Sequence, residues 1–175
     1  MPVFYNQPLV YRFGNDLLGH ILDEQWTRLE IGVAWVRQSG TKHVRNAIKS
    51  FLHRGGILRA SVGIDIENTS KEGLQDLLSL CAEGDMEVFV SHNETRSSTF
   101  HPKVYLFSND QKAKLIVGSN NITESGLFTN VEGGLEIDAS PDEDAINEAR
   151  MALASWRDPE TRLAIKPKFQ QAKQR

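Results

Sequence analysis

The sequence holds a single cysteine, Cys81, among its 175 residues. One thiol cannot close an intramolecular disulfide, so the small secreted folds that depend on disulfide bonds are excluded. Cys81 lies in the apolar run 77–82, where we expect a small buried side chain rather than a reactive group. This cysteine usage is typical of a reducing compartment, and we expect a cytoplasmic protein.

Long apolar runs and a secretion signal are also missing. No stretch approaches the roughly 20 apolar residues that a membrane-spanning helix needs. The first residues do not combine a basic region with an apolar stretch, as a signal peptide would. We therefore expect no membrane anchor and no membrane partner.

Excess positive charge is the third absence. The formal net charge is −3 and the sequence pI is near 6.0, whereas proteins dedicated to nucleic-acid binding are usually basic. Any contact with nucleic acid must therefore come from a local basic surface. Basic side chains cluster in this way in the segment 41–54, although such residues more often form an ordinary solvated helix face. They are His43, Arg45, Lys49, His53 and Arg54.

An alternation of strand and helix patterns fills the first half of the sequence. Apolar stretches typical of buried strands alternate with segments that have apolar residues at helical spacing. Such alternation predicts an α/β domain with parallel strands. The strands are predicted at 28–36, 57–64 and 85–91, and the helices at 15–26, 41–54 and 70–82.

The pattern changes in the second half. Two strand-like segments, 103–107 and 114–117, flank a polar turn and so indicate a hairpin. A further strand is predicted at 135–139. A last helix is predicted at 141–156, with Ser140 as its N-cap.

These elements predict an α/β layered sandwich, in which a mixed, largely parallel β-sheet is flanked by helices. Residues 1–14 contain several chain breakers and are predicted to be irregular. No clear linker or internal repeat interrupts the chain. We therefore expect a single domain over residues 1–158, followed by a polar tail over 159–175.

A histidine and a lysine stand at the start of the predicted hairpin, at His101 and Lys103. Residues two apart in a strand point to the same face, so the imidazole and the ammonium would project side by side. A neutral imidazole can attack phosphorus as a nucleophile. The lysine can bind a phosphate oxygen and offset charge in the transition state. This chemistry requires no metal and no cofactor.

Neutral donors and carboxylates follow the histidine and lysine. Ser119 and Asn120 come directly after the second hairpin strand, and their hydroxyl and amide groups could bind phosphate oxygens. A carboxylate near an imidazole fixes its tautomer and supports positive charge on it. Glu132 or Glu136 could supply this carboxylate, because the two would share a face in an extended segment.

The order of these motifs resembles the phospholipase D superfamily, whose members carry a His-x-Lys pair, a Gly-Ser-x-Asn turn and an Asn-x-Glu sequence. The resemblance is strongest to the nuclease-like branch, which includes some restriction endonucleases and helicase-associated domains. It covers about residues 28–140. The matching segments are Phe100–Lys103, Val117–Thr123, Gly126–Leu127 and Asn130–Glu132.

The resemblance implies a metal-independent phosphodiesterase that acts through a phosphohistidine intermediate. It implies catalytic roles for His101, Lys103, Ser119, Asn120 and Glu132, with the glutamate orienting the histidine. The implied activity is that of a nuclease, or of the nuclease domain in a restriction or DNA-processing protein. We expect a nucleic-acid substrate, DNA in preference to RNA.

Substrate contacts are also expected from residues outside the motif core. Asn121 continues the serine-containing turn, Thr69 and Ser70 precede a predicted helix, and Arg96 lies in the polar loop before His101. The alternative for Thr69 and Ser70 is that they cap or shape the start of the helix. The alternative for Arg96 is an ordinary solvated loop. The tryptophans are expected in packing rather than as platforms for bases.

One histidine–lysine pair is only half of a phospholipase D-type site. In that family one histidine attacks, while a second protonates the leaving oxygen and then activates water. None of the other four histidines has a lysine two residues later. The resemblance therefore implies a homodimer, with the active site at the two-fold interface.

Two other function classes remain open. The first is a phospholipase or phosphatidyl transferase, against which Ser108 speaks, because it stands where the family usually has an aspartate. The second is a catalytically silent module that binds nucleic acid or serves dimerisation.

Overall fold

One β-sheet organises the part of the chain that the structure describes. The structure is a computed structural model, and it describes residues 2–65, 68–92 and 98–158. Arg96 and the predicted tail 159–175 therefore lie outside the described residues. The strands are β1 (Val3–Gln7), β2 (Arg28–Val33), β3 (Ile57–Gly63), β4 (Met86–Ser91), β5 (Lys103–Ser108), β6 (Ala113–Gly118) and β7 (Glu132–Ala139).

The sheet order across these described strands is β1-β7-β6-β5-β2-β3-β4. The first half of the sequence forms the parallel part, in which β2 pairs with β3 and β3 with β4. The second half forms an antiparallel part with β1, and β5 joins the two parts by pairing antiparallel with β2. The predicted mixed sheet flanked by helices is confirmed, but parallel pairing is confined to three strands, so "largely parallel" is wrong.

Helices cover the two faces of the sheet unequally. The helices are α1 (Phe13–Leu22), α2 (Gln38–His53), α3 (Lys71–Leu80) and α4 (Asp144–Ser155). The first three pack side by side over the larger core, which takes alternate residues of β2 such as Leu29, Ile31 and Val33. Helix α4 lies over a smaller cluster on the opposite face, around Leu106 and Leu115. Period-two alternation in the strands thus supplies both cores.

Strand β1 was not predicted, because residues 1–14 contain chain breakers. It is an edge strand that pairs antiparallel with β7, and Pro2 and Pro8 bound it rather than interrupt it. Its inward residues, Tyr5 and Gln7, are buried. Edge position explains the tolerance of nearby prolines, since only one side of the strand needs ladder hydrogen bonds.

Helix starts differ from the predicted ones. Helix α4 begins after Glu143, because Ser140 enters a turn in which its backbone N–H donates to Glu143 Oε1 at 2.9 Å. Helix α1 begins at Phe13, two residues before the predicted start. Ser70 does cap α3, as predicted, and its hydroxyl accepts a hydrogen bond from the N–H of Gly73.

The topology brings several chain segments to one edge of the sheet. The carboxyl ends of β2, β3 and β4 lie there, because these strands are parallel. The starts of β5 and β7 and the end of β6 join them, because these strands alternate in direction. The residues of every predicted motif within the described residues are therefore placed along one edge.

Candidate active site

His101 and Lys103 lie together at this edge. The carbonyl of Pro102 accepts the N–H of Ala34 at 2.8 Å, which fixes the segment against the end of β2. The Lys103 Nζ lies 2.8 Å from His101 Nδ1 and 3.0 Å from Nε2, and it donates to the His101 carbonyl at 3.1 Å. The imidazole is exposed, whereas the Lys103 side chain is buried.

The electrostatics of this pair favour a neutral imidazole. Burial lowers the pKa of His101, and the charge of Lys103 lowers it further. Burial also lowers the pKa of Lys103, while the carboxylate of Glu132 opposes that effect. A neutral imidazole keeps a free lone pair at neutral pH, which a nucleophile requires.

The other histidines have the opposite surroundings. Within the described ranges, each has a carboxylate partner, whereas His101 has an ammonium neighbour. A carboxylate favours the charged form of an imidazole and an ammonium disfavours it. His101 is therefore distinguished by environment as well as by motif. The carboxylate pairs are His20 with Glu136, His43 with Glu124, His53 with Glu83, and His92 with Asp65.

Trp35 packs against the histidine–lysine pair. Its ring centroid lies 5.0 Å from that of His101, edge to face, and the Lys103 Nζ lies 5.4 Å from its ring. Its side chain is half-buried and lines the neighbouring cleft. Trp35 packs as predicted, and its half-buried ring also lines the cleft. Trp26 packs in the larger core, where it is buried.

Ser119 leaves the end of β6 at the same edge. Its side chain is exposed, and its Oγ accepts the N–H of Gly133 at 3.2 Å. Gly118 before it allows the turn to approach β1, since a Cβ there would lie only 2.4 Å from the Tyr5 hydroxyl. Exposure leaves the Ser119 hydroxyl accessible to a ligand.

Asn120 does not face the solvent, contrary to its predicted role as a phosphate donor. It is buried, its Oδ1 accepts the Tyr5 hydroxyl at 2.8 Å, and its Nδ2 donates to the Gly126 carbonyl at 2.8 Å. The Tyr105 hydroxyl donates to its backbone carbonyl at 2.9 Å. Because these bonds occupy the amide inside the fold, Asn120 fixes the turn and does not reach a substrate.

Asn121 is also buried, but it borders the cleft. Its Oδ1 accepts the backbone N–H of Trp35 at 3.0 Å, which orients the amide, and its side chain lines the cleft. The following residue, Ile122, bridges to β2: its N–H donates to the Trp35 carbonyl, and its carbonyl accepts from Arg37. These bonds attach the turn to the end of β2.

The two candidate carboxylates have separate environments. Glu132 accepts a hydrogen bond from Asn130 at 3.1 Å and acts electrostatically on Lys103, but within the described residues no hydrogen bond joins it to His101. Glu136 is held by His20 and Lys114, which lower its pKa to about 2. Glu136 is therefore bound within the fold, whereas Glu132 acts on the lysine, and its predicted role in orienting the histidine stays a prediction.

Thr69 and Ser70 hold backbone rather than face the cleft. The Thr69 hydroxyl donates to the Gly63 carbonyl at 2.6 Å and accepts the N–H of Val36 at 3.1 Å. The Ser70 hydroxyl accepts two N–H groups, from Gly73 and Gln38. Their predicted substrate contacts are corrected to the alternative, which is shaping the start of α3. Arg96, the other upstream candidate, lies outside the described residues.

A polar cleft of about 360 Å³ adjoins the histidine–lysine pair through Trp35 and Glu132. Amide and hydroxyl side chains provide most of its polar lining, Arg37 adds an exposed cation, and Glu124 and Glu132 add carboxylates. Asn68 holds this guanidinium through its carbonyl and its Oδ1, at 2.8 and 3.1 Å. Donors of this kind suit a phosphate or another anionic group.

Solved structures of two bacterial proteins match this arrangement of strands and helices. NucT from Helicobacter pylori is 17% identical with a TM-score of 0.67, over 89% of this chain and 94% of its own. Nuc from Salmonella typhimurium, a phospholipase D family member, is 17% identical with a TM-score of 0.65, over 95% and 97%. The chain has the phospholipase D-type fold. It matches no known family model and no curated protein.

Yeast tyrosyl-DNA phosphodiesterase has the same fold within a longer chain. It is 11% identical with a TM-score of 0.56, and the match covers 92% of this chain but 39% of the yeast chain.

In the described residues, no helix is long and apolar enough to cross a membrane. No group of three or more histidine, cysteine or acidic side chains comes together there to form a metal site.

The phospholipase D-type fold places Ser108 far from the chemistry. Ser108 ends β5, and Lys103 begins it, so the two are separated by about 17 Å along the strand. Its backbone carbonyl accepts the N–H of Thr27 at 3.2 Å. The missing aspartate therefore changes the end of β5 that lies away from His101 and Lys103.

Several functional residues of this fold were not predicted from the sequence. Tyr5 and Gln7 hold the site from β1; Gln7 donates to the carbonyls of Gly126 and Asn130 at 3.1 and 3.2 Å. Nothing in the local pattern marks them, because their partners are more than 100 residues away. Arg37 could have been predicted from the sequence, because it directly follows the predicted strand 28–36. Ligands of α/β sheets bind at the carboxyl ends of parallel strands.

Proposed function

We propose that this domain is a phosphodiesterase of the nuclease type that forms a phosphohistidine without a metal ion. The observation that carries the proposal is the contact between His101 and Lys103 at an exposed edge. There the imidazole is kept neutral while a cation stands beside it. A nucleophile and an oxyanion partner are thus adjacent, next to a cleft whose lining combines neutral donors with Arg37, Glu124 and Glu132.

The first chemical step forms the covalent intermediate. An imidazole nitrogen of His101 bonds to phosphorus, and the bond from phosphorus to the leaving oxygen breaks. The partner's His101, which takes up a proton from solvent when the anionic phosphate binds beside it, gives that proton to the leaving oxygen. Lys103 binds a non-bridging oxygen and offsets the charge that develops on it. Glu132 supports this role by favouring the charged form of the lysine.

The second step releases the product by hydrolysis. The partner's His101, now neutral, takes a proton from water, whose oxygen bonds to phosphorus as the phosphorus–nitrogen bond breaks. Because this chain carries one histidine–lysine pair, both steps require a homodimer with its site at the two-fold axis. Ser119 and Asn121 bind the remaining phosphate oxygens, while Asn120 positions the turn from inside.

DNA is the proposed substrate. Nuc and NucT share the fold over nearly their whole chains, and tyrosyl-DNA phosphodiesterase carries DNA in its name. Arg37 and the amide-lined cleft supply contacts for a backbone phosphate next to the scissile one. We infer that the domain serves a restriction or DNA-processing protein of the cytoplasm, on the motif order and the single cysteine.

The test compares two histidine substitutions on labelled DNA in the presence of EDTA. The wild type is expected to cut, and His101→Ala to lower the rate by at least about 1,000-fold. His53→Ala is the matched control, because His53 is exposed and pairs with Glu83 away from the site. Acid quenching of a single turnover should trap an acid-labile phosphoprotein in the wild type.

Three results would contradict the proposal. Loss of cleavage in EDTA would indicate metal chemistry. A His101→Ala variant that cuts as fast as the wild type would exclude a histidine nucleophile. Failure to cut DNA or RNA at any concentration, with the protein folded, would leave the catalytically silent binding module as the function.

A further inference from the structure

The half-buried ring of Trp35 forms an apolar part of the cleft wall. Its Nε1 is buried and has no hydrogen-bond partner among the described residues, so the exposed part of the side chain is carbon. The residue is also held in place: its backbone N–H donates to Asn121 Oδ1, and His101 and Lys103 pack against its ring. A fixed aromatic surface of this kind can bind the flat face of another ring.

The carboxylates of the cleft limit where an anion can bind in it. The charge of Glu124 is compensated, because Lys42 and His43 both contact its Oε2 at 2.8 Å. Glu132 is half-buried, and within the described ranges its only hydrogen bond comes from Asn130. A phosphate beside the Glu132 carboxylate would be repelled, whereas the amino or imino donors of a neutral nucleobase can bind to it.

The size and the remaining lining of the cleft also fit a nucleobase. Its volume of about 360 Å³ lies at the small end of ligand pockets, which span about 300–1,000 Å³. Side chains such as Thr129 and Asn130 offer hydrogen bonds to the edge of a base, while Trp35 offers a surface for its face. Proteins that recognise unpaired bases combine an aromatic surface with polar edge contacts in this way.

We propose that the cleft binds the base of a nucleotide next to the scissile phosphate, stacked on Trp35. The inference rests on the proposed function and extends it to the nucleotide that flanks the cut. The scissile phosphate binds to Lys103 and Ser119, the base occupies the cleft beside Glu132, and the next phosphate reaches Arg37. Trp35 thereby favours cleavage of bonds whose neighbouring base enters the cleft.

The test removes the base from the substrate and the ring from the protein, separately and together. The substrate is an end-labelled single-stranded oligodeoxynucleotide with one central tetrahydrofuran residue, which lacks a base. With the wild type, one of the two bonds beside this residue should be cut about 5- to 100-fold more slowly than in the parent oligonucleotide. Trp35→Leu should cut that bond at the same rate in both oligonucleotides, because the base has no ring left to stack on.

The combined comparison separates stacking on a base from packing against His101. Loss of packing alone would slow both oligonucleotides in Trp35→Leu and leave the full difference between them. That result would overturn the stacking, as would equal cutting of both oligonucleotides by the wild type. Phe128→Leu is the matched control: Phe128 packs on His43 with centroids 4.7 Å apart and does not line the cleft, so the full difference should remain.

Tryptophan fluorescence tests the base site without cleavage. In His101→Ala, a short oligodeoxynucleotide should quench the emission, whereas the same backbone made of tetrahydrofuran residues should not. The quenching should be absent when Trp35→Phe is added to His101→Ala. Quenching that depends on Trp35, with a wild type that cuts nothing, supports the base site and overturns the proposed nuclease function. Cleavage by the wild type without such quenching overturns the base site and leaves the function intact.

Discussion

Two groups of histidine, lysine and glutamate lie on the same face of this sheet and differ in their electrostatic state. In the first, Lys114 and His20 both contact Glu136, whose pKa is lowered to about 2. In the second, Lys103 contacts His101, and the nearby Glu132 pairs with neither. The same three residue types thus form two arrangements. In the closed cluster, the carboxylate contacts both of the other side chains; in the open pair, the lysine contacts the histidine and the glutamate contacts neither.

The difference follows from which residue stands between the other two. In the closed cluster the carboxylate is central, so every charge is compensated and each side chain supports the fold. In the open pair the cation lies against the imidazole, so burial and charge both favour the neutral ring. We infer that the order of charges, rather than residue composition, separates a structural histidine from a reactive one in this domain.

The largest expected effect separates the two lysines, which are both 8% exposed. Lys103→Met should lower the single-turnover rate of DNA cleavage by about 100- to 1,000-fold, because it removes the charge that offsets the transition state. Lys114→Met should leave the rate unchanged and lower the free energy of unfolding by about 1–3 kcal/mol, because Glu136 loses its strongest compensating charge. Urea denaturation measures the second quantity.

Two results with these variants would contradict the division into a structural cluster and a reactive pair. If Lys103→Met costs as much stability as Lys114→Met, the open pair is also structural. If Lys114→Met slows cleavage while the protein remains folded, the two clusters are coupled and the division between them is wrong.

The second prediction concerns the pH dependence of stability. The pKa of Glu136 is about 2 in the folded state, below its ordinary value of 4.5, so the unfolded chain takes up its proton first as pH falls. The cluster therefore contributes fully above about pH 4.5, and the contribution is lost towards pH 2. With solvent screening it is about 1–3 kcal/mol.

Glu136→Gln tests this window. The variant should be less stable than the wild type at pH 7, and the difference should shrink as pH falls from 4.5 towards 2. Glu72→Gln, at the exposed start of α3, is the control and should leave the curve unchanged. A constant difference between Glu136→Gln and the wild type across the window would show that the carboxylate charge is not responsible.

Most of the fold could be predicted because it depends on local signals. Helix α2 has its apolar stripe at Val44, Ile48 and Phe51, and all three are buried as the spacing indicates. The hairpin of β5 and β6 follows from two strand patterns and a polar turn. The share of antiparallel pairing could not be predicted, because it depends on β5 entering beside β2, which no local pattern specifies.

In the candidate site, too, some features could be predicted from local sequence and others depend on distant residues. The proximity of His101 and Lys103 follows from their spacing of two residues. The exposed position of Ser119 follows from its place in the turn after a strand. The burial of Asn120 could not be predicted, because it depends on Tyr5, which is 115 residues away. The two adjacent asparagines look alike in sequence and both are buried, and only the tertiary contacts place Asn121 at the wall of the cleft.

The third prediction tests the support of the serine turn from β1. Tyr5→Phe removes the donor to Asn120 Oδ1 and should lower the free energy of unfolding by about 1–2 kcal/mol. It should also slow cleavage several-fold, because the turn that carries Ser119 and Asn121 loses a fixed point. Tyr11→Phe is the control: Tyr11 stacks on Tyr5 without contacting the turn. A rate loss of equal size in both variants would indicate a general loss of stability.

The smallest expected effect is a shift in one titration curve. Burial and then the Lys103 charge hold the pKa of His101 below its ordinary value of 6.5, so the nucleophile stays neutral and active below that pH. Lys103→Met removes the second cause and leaves the first, so the pKa should rise but stay below 6.5. The acid limb of the rate profile should then move to higher pH, since the attacking imidazole is protonated earlier.

Histidine titration by NMR measures this shift directly in the folded protein. The His101 resonance should move in Lys103→Met, whereas Lys114→Met should leave it in place, because Lys114 belongs to the other cluster. An unchanged His101 pKa in Lys103→Met would mean that burial alone sets the protonation state. The lysine would then act on the substrate only, and the open pair would owe its reactivity to its position at the edge of the sheet.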